Sequence, residues 1–444
     1  MQKLNFQIIV CYLLIFSSPT LMDIVWGGAA TAVELLLLLG LWVYALAIVQ
    51  PKLKTKERKL PDLFLLLIGI GSLTVLGVSW LVREIPLSVI VYRLFTYFSF
   101  FPFVYLLLYL RRRYRLVRRL LIAIVLLCNL IAVGVIADSQ GVLVNTPVIG
   151  DRIVTLEADS AVSSHKLRGQ QRRGAFFLGG STTVYPFLSL GALSSLILYK
   201  LERGKRRYFL FCFPSFLLVW LGCFFSLSRA PLFLVSLFLL FCSWKLFMIG
   251  KRYQLQRKYV LAVLIFGLFA VAPTIHSTID GSVNQKFTKV LNSGISPGEA
   301  SNTVRYRAWY EGAMLFGDLD SWLGNGLGTS TLAVKHNRLL TREQYRFHYE
   351  SAVFSAFSEG GTIGLLIFLS PFLLAIYSSK HHPHRDIYLV WMVTLLINFF
   401  AAPIYGYSSQ LAYFTGMSLC FAFKPENHSR GIVASGRYQE RAIK

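Results

Sequence analysis

Residues 347–378 read FHYESAVFSAFSEGGTIGLLIFLSPFLLAIYS. A polar lead-in, His348-Tyr-Glu350-Ser351, runs straight into a hydrophobic span at 351–378. That span exceeds the roughly 20 residues a helix needs to cross a bilayer. Upstream, residues 305–328, RYRAWYEGAMLFGDLDSWLGNGLG, form the polar end of the longest hydrophilic insert in the chain. The order is therefore an Arg-aromatic segment, a glycine turn, a variable stretch, a polar lead-in and a Gly-rich helix.

Outward from this stretch the chain is dominated by apolar runs. Mean hydropathy is +0.56 and 55% of the 444 residues are hydrophobic. Twelve spans are expected: 5–22, 27–49, 62–82, 86–110, 120–138, 175–199, 208–226, 230–248, 259–275, 351–378, 386–402 and 407–423. The fold class is an all-α integral membrane protein of about 12 transmembrane helices, with residues 1–444 as one polytopic membrane domain. The formal charge of +24 could suit nucleic acid, but most basic residues sit in short clusters between apolar runs. Such clusters are a topology signal and not a phosphate-reading face, so no nucleic-acid partner is expected. All six cysteines fall inside apolar runs with no C-x-x-C pair, which argues against disulfides and zinc. The first apolar run lacks a small-x-small cleavage site and reads as a retained helix.

Basic residues assign the sides. With a cytoplasmic N-terminus, the inside segments hold 28 of the 45 Lys and Arg residues, in 50–61, 111–119, 200–207, 249–258, 380–385, Lys3 and the tail. Dense basic loops on one side make both termini cytoplasmic. Two hydrophilic segments then face outward, 139–174 and 276–350. The second, 75 residues long, exceeds an ordinary connector. Trp309, Tyr310, Leu315, Phe316, Trp322 and Leu323 recur in it at helix-like spacing, so it should form a helical cap over the outer mouth of the bundle.

Charged groups in or beside hydrocarbon need a reason. Arg229, in FSLSRAPLF between two spans at their outer end, reads either as an arginine reaching the headgroups or as a bidentate anion clamp. Arg305 and Arg307 precede Trp309 and Tyr310; they are either solvated and packed on the aromatics or further phosphate contacts. Glu34 and Arg93 lie at similar depth, roughly 11 Å below the outer surface at a 1.5 Å rise per residue. A buried salt bridge between them is the economical expectation, and lining a substrate cavity the alternative. Glu350 and Ser351 can cap a helix N-terminus, while His348 and Glu350 can equally accept a proton near neutral pH. Gly360 and Gly364 have the G-x-x-x-G spacing that admits a close neighbouring helix.

Taken together, two arginine positions and a base on one face suit a phosphate-bearing substrate, such as a lipid diphosphate sugar with its tail between helices. Arginines can neutralise the leaving diphosphate in place of a metal. The outer segments hold no H-E-x-x-H cluster, and neither metal nor other cofactor is expected.

These motifs resemble the O-antigen polymerase and O-antigen ligase superfamily of bacterial polysaccharide assembly. FSLSRAPL is similar to the family's Ser-Arg turn after an apolar helix. RYRAWYEGAMLFGDLDSWLGNGLG resembles its Arg-aromatic element ending in glycines, here Gly324, Gly326 and Gly328. SEGGTIGLLIF resembles its closing Glu-x-Gly-x-x-Gly-Leu through Glu359, Gly361 and Gly364. The matched segments cover about a quarter of the chain. One departure is that Glu350 stands where the ligase histidine would fall, with His348 two residues earlier; the H-x-E-S form looks more like the polymerase branch. The resemblance implies a GT-C-like, metal-independent, inverting glycosyltransferase of the bacterial inner membrane, acting on the periplasmic face. Its donor and acceptor would be glycans on undecaprenyl diphosphate, its surroundings membrane lipid, and a chain-length regulator its protein partner. Arg229, Arg305 and Arg307 would hold the donor diphosphate, and Glu350 or His348 would take the acceptor proton. A polymerase of O-antigen repeats is the first reading, a ligase to lipid A–core or another acceptor the second. A lipid-linked glycan transporter is the third, disfavoured because neither half-helices nor repeat symmetry is visible.

Overall fold

The computed structural model describes residues 1–17, 30–139, 167–168, 171–172, 184–202, 206–226, seven positions between 234 and 245, 307, 309–317, 322–329, 351–380, 384–401 and 406–423. Helices dominate. In chain order they are α1 (Gln2–Phe16), α2 (Ala30–Val43), α3 (Thr55–Gly77), α4 (Leu87–Phe98), α5 (Phe100–Leu110) and α6 (Tyr114–Ser139). Then come α7 (Val184–Leu201), α8 (Arg206–Phe225), α9 (Ala352–Ser379), α10 (Arg385–Ala401) and α11 (Gly406–Ser418). The only strands among the described residues are an antiparallel pair of two residues each, Leu167–Arg168 with Gln171–Arg172.

Among the described residues, six helical stretches are long and apolar enough to cross a membrane: Ala32–Lys52, Thr55–Val82, Leu87–Leu110, Tyr114–Ser139, Val184–Leu201 and Ala352–Ser379. α1, α10 and α11 also fall on expected spans but are shorter, as is the apolar part of α8, Leu210–Phe225. Of the remaining two expected spans, 230–248 has only isolated described positions, and 259–275 lies outside the described residues. The expected span 86–110 is broken at Ser99, between α4 and α5. Pro102 sits in the first turn of α5 and has no N–H to continue the ladder of α4.

The exterior is as informative as the core. Leu66, Leu73, Leu81 and Leu130 are each more than half exposed, on helices whose inward positions are also apolar. A helix apolar all round is a membrane helix or one deep in a large core, and exposed leucine excludes the latter here. The chain is a multi-pass membrane protein. α6, α7 and α8 pack on one another, and α9 packs between α3 and α10.

The two ends of the bundle differ. At one, Glu57 pairs with Arg111 at 2.9 Å and Arg112 at 3.1 Å, and Arg118 with Glu202 at 3.4 Å. Asp386 there meets Lys200 at 3.4 Å and Lys245 at 2.5 Å. Four of the short basic segments of the sequence thus share one end. The far end of α3, the glycine loop and the head of α9 form the other.

Candidate active site at the glycine loop

α9 starts at Ser351, whose backbone is extended and whose Oγ accepts the Phe354 N–H at 3.4 Å. The expected N-terminal cap is therefore supplied by Ser351. The same hydroxyl donates to the Phe399 carbonyl at 3.2 Å, tying the helix head to α10. Ten residues on, the helix breaks. Gly361 has φ 60° and ψ −153°, a region essentially reserved for glycine.

A break leaves carbonyls without their i+4 donors. The loop 322–329 supplies them. Asn325 N donates to the Ser358 carbonyl at 2.7 Å, and Gly326 N donates to the Glu359 carbonyl at 2.9 Å. Asn325 Nδ2 also meets Ser358 Oγ at 3.2 Å. Gly324 and Gly326 both hold positive φ, 83° and 107°. A Cβ at Gly324 would stand 2.6 Å from the Glu359 carbonyl oxygen, so the close approach also demands glycine.

The other side of the loop rests on the end of α3. There the helix widens to a π turn, Val78–Val82. Ser79 Oγ accepts the buried Leu327 N–H at 3.0 Å, and Arg83 Nε donates to the Gly324 carbonyl at 3.0 Å. Residues 309–314 are helical and 315–317 form a 3₁₀ turn. This segment lies on the first half of α9: the Phe316 ring is 4.2 Å from that of Phe357, and Gly312 abuts Phe354. Residues 309–317, within the hydrophilic segment 276–350, are thus helical and pack against the helix head, while 322–329 of the same segment form the glycine loop.

Beneath the loop is a buried charge pair. Glu359 is fully buried, and its Oε2 accepts from Arg93 Nε at 2.9 Å and from Tyr97 OH at 3.0 Å. The Arg93 guanidinium also lies over the Tyr97 ring, 4.5 Å from its centroid. Glu359 Oε1 is buried with no hydrogen-bond partner among the described residues.

The structure corrects two expectations. Arg93 is seated on Glu359 and not on Glu34, whose Oε2 instead accepts from Tyr92 OH at 3.1 Å. The reason is distance along the chain: Glu359 lies 266 residues from Arg93, and no local spacing could disclose it. The second concerns G-x-x-x-G. The break at Gly361 turns the two glycines apart, so Gly360 faces Val75 on α3 whereas Gly364 faces the Ala356 carbonyl of its own helix.

Arg307 is largely exposed, its side chain 80% accessible, and pairs with Glu311 one turn on at 2.8 Å. Arg229, Arg305, His348 and Glu350 lie outside the described residues. Glu359, Tyr97, Asn325, Ser79 and Arg83 were not singled out as site residues from the sequence. Glu359 had a signal of its own, being an acid inside an apolar span.

Residues 214–369 match a family model described as O-antigen ligase, a stretch containing Arg229, Arg305, Arg307, the glycine loop, His348, Glu350 and the break in α9. No curated protein matches the chain. Over residues 214–369 the chain is similar to the O-antigen ligase family, in keeping with the O-antigen polymerase and ligase superfamily that its motifs resemble.

Proposed function

We propose that this protein is a metal-independent, inverting glycosyltransferase that polymerises undecaprenyl-diphosphate-linked repeat units into a surface polysaccharide. Its active face is periplasmic, both termini are cytoplasmic, and twelve spans in a GT-C-like bundle carry an outer cap over 276–350. The observation that carries this reading is the O-antigen ligase family match over 214–369, which includes every outer-face residue the chemistry needs.

The chemistry is a single displacement. The acceptor hydroxyl oxygen attacks the anomeric carbon of the donor sugar, whose bond to the diphosphate oxygen breaks from the opposite face. Glu350 or His348 takes the hydroxyl proton. Arg229 and Arg305, with Arg307 at the rim, take up the charge developing on the diphosphate through paired N–H donors. Glu34 is the remaining candidate for the wall of the substrate cavity. Arg93 stands behind the glycine loop, neutralised by Glu359.

A ligase of the same superfamily fits the family match equally well, transferring finished glycan to lipid A–core or another acceptor. The H-x-E-S form at 348–351 favours the polymerase. Deleting the gene and resolving surface glycan on a gel separates the two. A single repeat on the acceptor means a polymerase, with any chain-length regulator left without substrate. Polymer stalled on the lipid carrier means a ligase, and an unchanged glycan ladder overturns both.

A further inference from the structure

Glu359 is a two-way tie. Its carboxylate holds α4 through Arg93 and Tyr97, while its main-chain carbonyl holds the glycine loop through Gly326 N–H. It stands two residues before the Gly361 break. The segment from Ser351 to Gly360 is therefore a short lever. Its head is tied to Phe399 and its tail to both the glycine loop and α4.

Stability alone is a poor reason for such a pair. Exchanging a buried ion pair for well-packed apolar residues is often neutral or stabilising, and the best-attested use of buried charge is to specify register. Here the register at stake is angular. Ser351 lies eight residues from Glu359, about 12 Å at 1.5 Å per residue, so a tilt of about 5° at the break moves the helix head by about 1 Å. A misplacement of that size can cost about 10²-fold in rate.

We propose that Arg93 and Glu359 are positioning residues, whose ion pair sets the angle of the α9 break and thereby the place of the helix head that Glu350 and His348 adjoin in sequence. The inference rests on the glycosyltransferase reading for its consequence, but the latch itself has a readout that needs no activity. Asn325 and Ser358 touch across the loop–helix contact, so an Asn325→Cys/Ser358→Cys pair reports the geometry by oxidative cross-linking.

The experiment uses the full chain in native membranes, with the host's undecaprenyl-diphosphate-linked glycan as probe. The variants are Glu359→Gln, Glu359→Asp, Arg93→Lys and the exchanged pair Arg93→Glu/Glu359→Arg. Glu359→Gln should lower kcat about 10²-fold and weaken the 325–358 cross-link. KM for the donor should stay unchanged, because the proposed diphosphate contacts are elsewhere. The conservative variants should keep more activity than Glu359→Gln, and the exchanged pair should regain part of what the single reversals Arg93→Glu and Glu359→Arg, made beside it, each lose. Wild-type turnover and cross-linking in Glu359→Gln would overturn the proposal. So would a rise in KM at constant kcat, or an exchanged pair no better than the worse single reversal. A cross-link that depends on Glu359 in a protein with no glycan transfer of either kind upholds the latch and removes only the transferase reading.

Discussion

Replacing Gly361 by alanine should destabilise the fold by about 3–5 kcal/mol. At φ 60° and ψ −153° the residue occupies a glycine-only region, where an L side chain costs about 1–3 kcal/mol. A Cβ there would also collide with the Trp322 carbonyl oxygen, so the loop must withdraw. Withdrawal breaks the hydrogen bonds from Asn325 N and Gly326 N to α9, each worth about 1 kcal/mol net. Gly69 is the matched control: it lies inside α3 with open space where a Cβ would go, and alanine there should be neutral or gain up to about 1 kcal/mol. Thermal unfolding of both variants in detergent, beside the wild type, measures the difference. If Gly361→Ala melts with the wild type, the break is not a built feature and the account of the loop fails.

The two candidate bases are separated by assaying Glu350→Gln and His348→Ala side by side. One should lose transfer by about 10²–10⁴-fold, the range for general-base removal, and a fully active variant clears its residue. Arg307→Ala removes an exposed pair worth about 0.3–0.5 kcal/mol, so melting should hardly change. A fall in transfer without loss of stability would mark it as a donor contact, and unchanged transfer would remove it from the diphosphate site.

Local patterns in the chain disclosed the helices and the gathering of basic clusters at one end of the bundle, because both are written locally. Apolar runs mark the spans, and the basic clusters at 50–61, 111–119, 200–207 and 380–385 meet at one end of the bundle through pairs such as Glu57–Arg111 and Lys200–Asp386. The glycines at 324, 326 and 361 were legible as a motif, but not as two halves of one joint. That joint depends on hydrogen bonds from Asn325 and Gly326 across more than 30 residues, and on the π turn after α3 contributing Ser79 from 248 residues away. Arg93 shows the limit most plainly. Its burial and need for a counter-charge follow from its place in an apolar helix, but the choice of Glu359 over Glu34 is made by tertiary packing alone. Ser99 is a milder case, where Pro102 was visible and the break it accompanies was not expected.

The most direct measurement is release of undecaprenyl diphosphate from its glycan-loaded form by the purified protein in proteoliposomes, without added metal. The wild type should transfer the glycan to an acceptor and free the carrier in equal amounts, and Arg229→Ala and Arg305→Ala should abolish both while remaining folded. Transfer at the wild-type rate by both arginine variants, or movement of intact donor across the bilayer with no carrier released, would contradict the account.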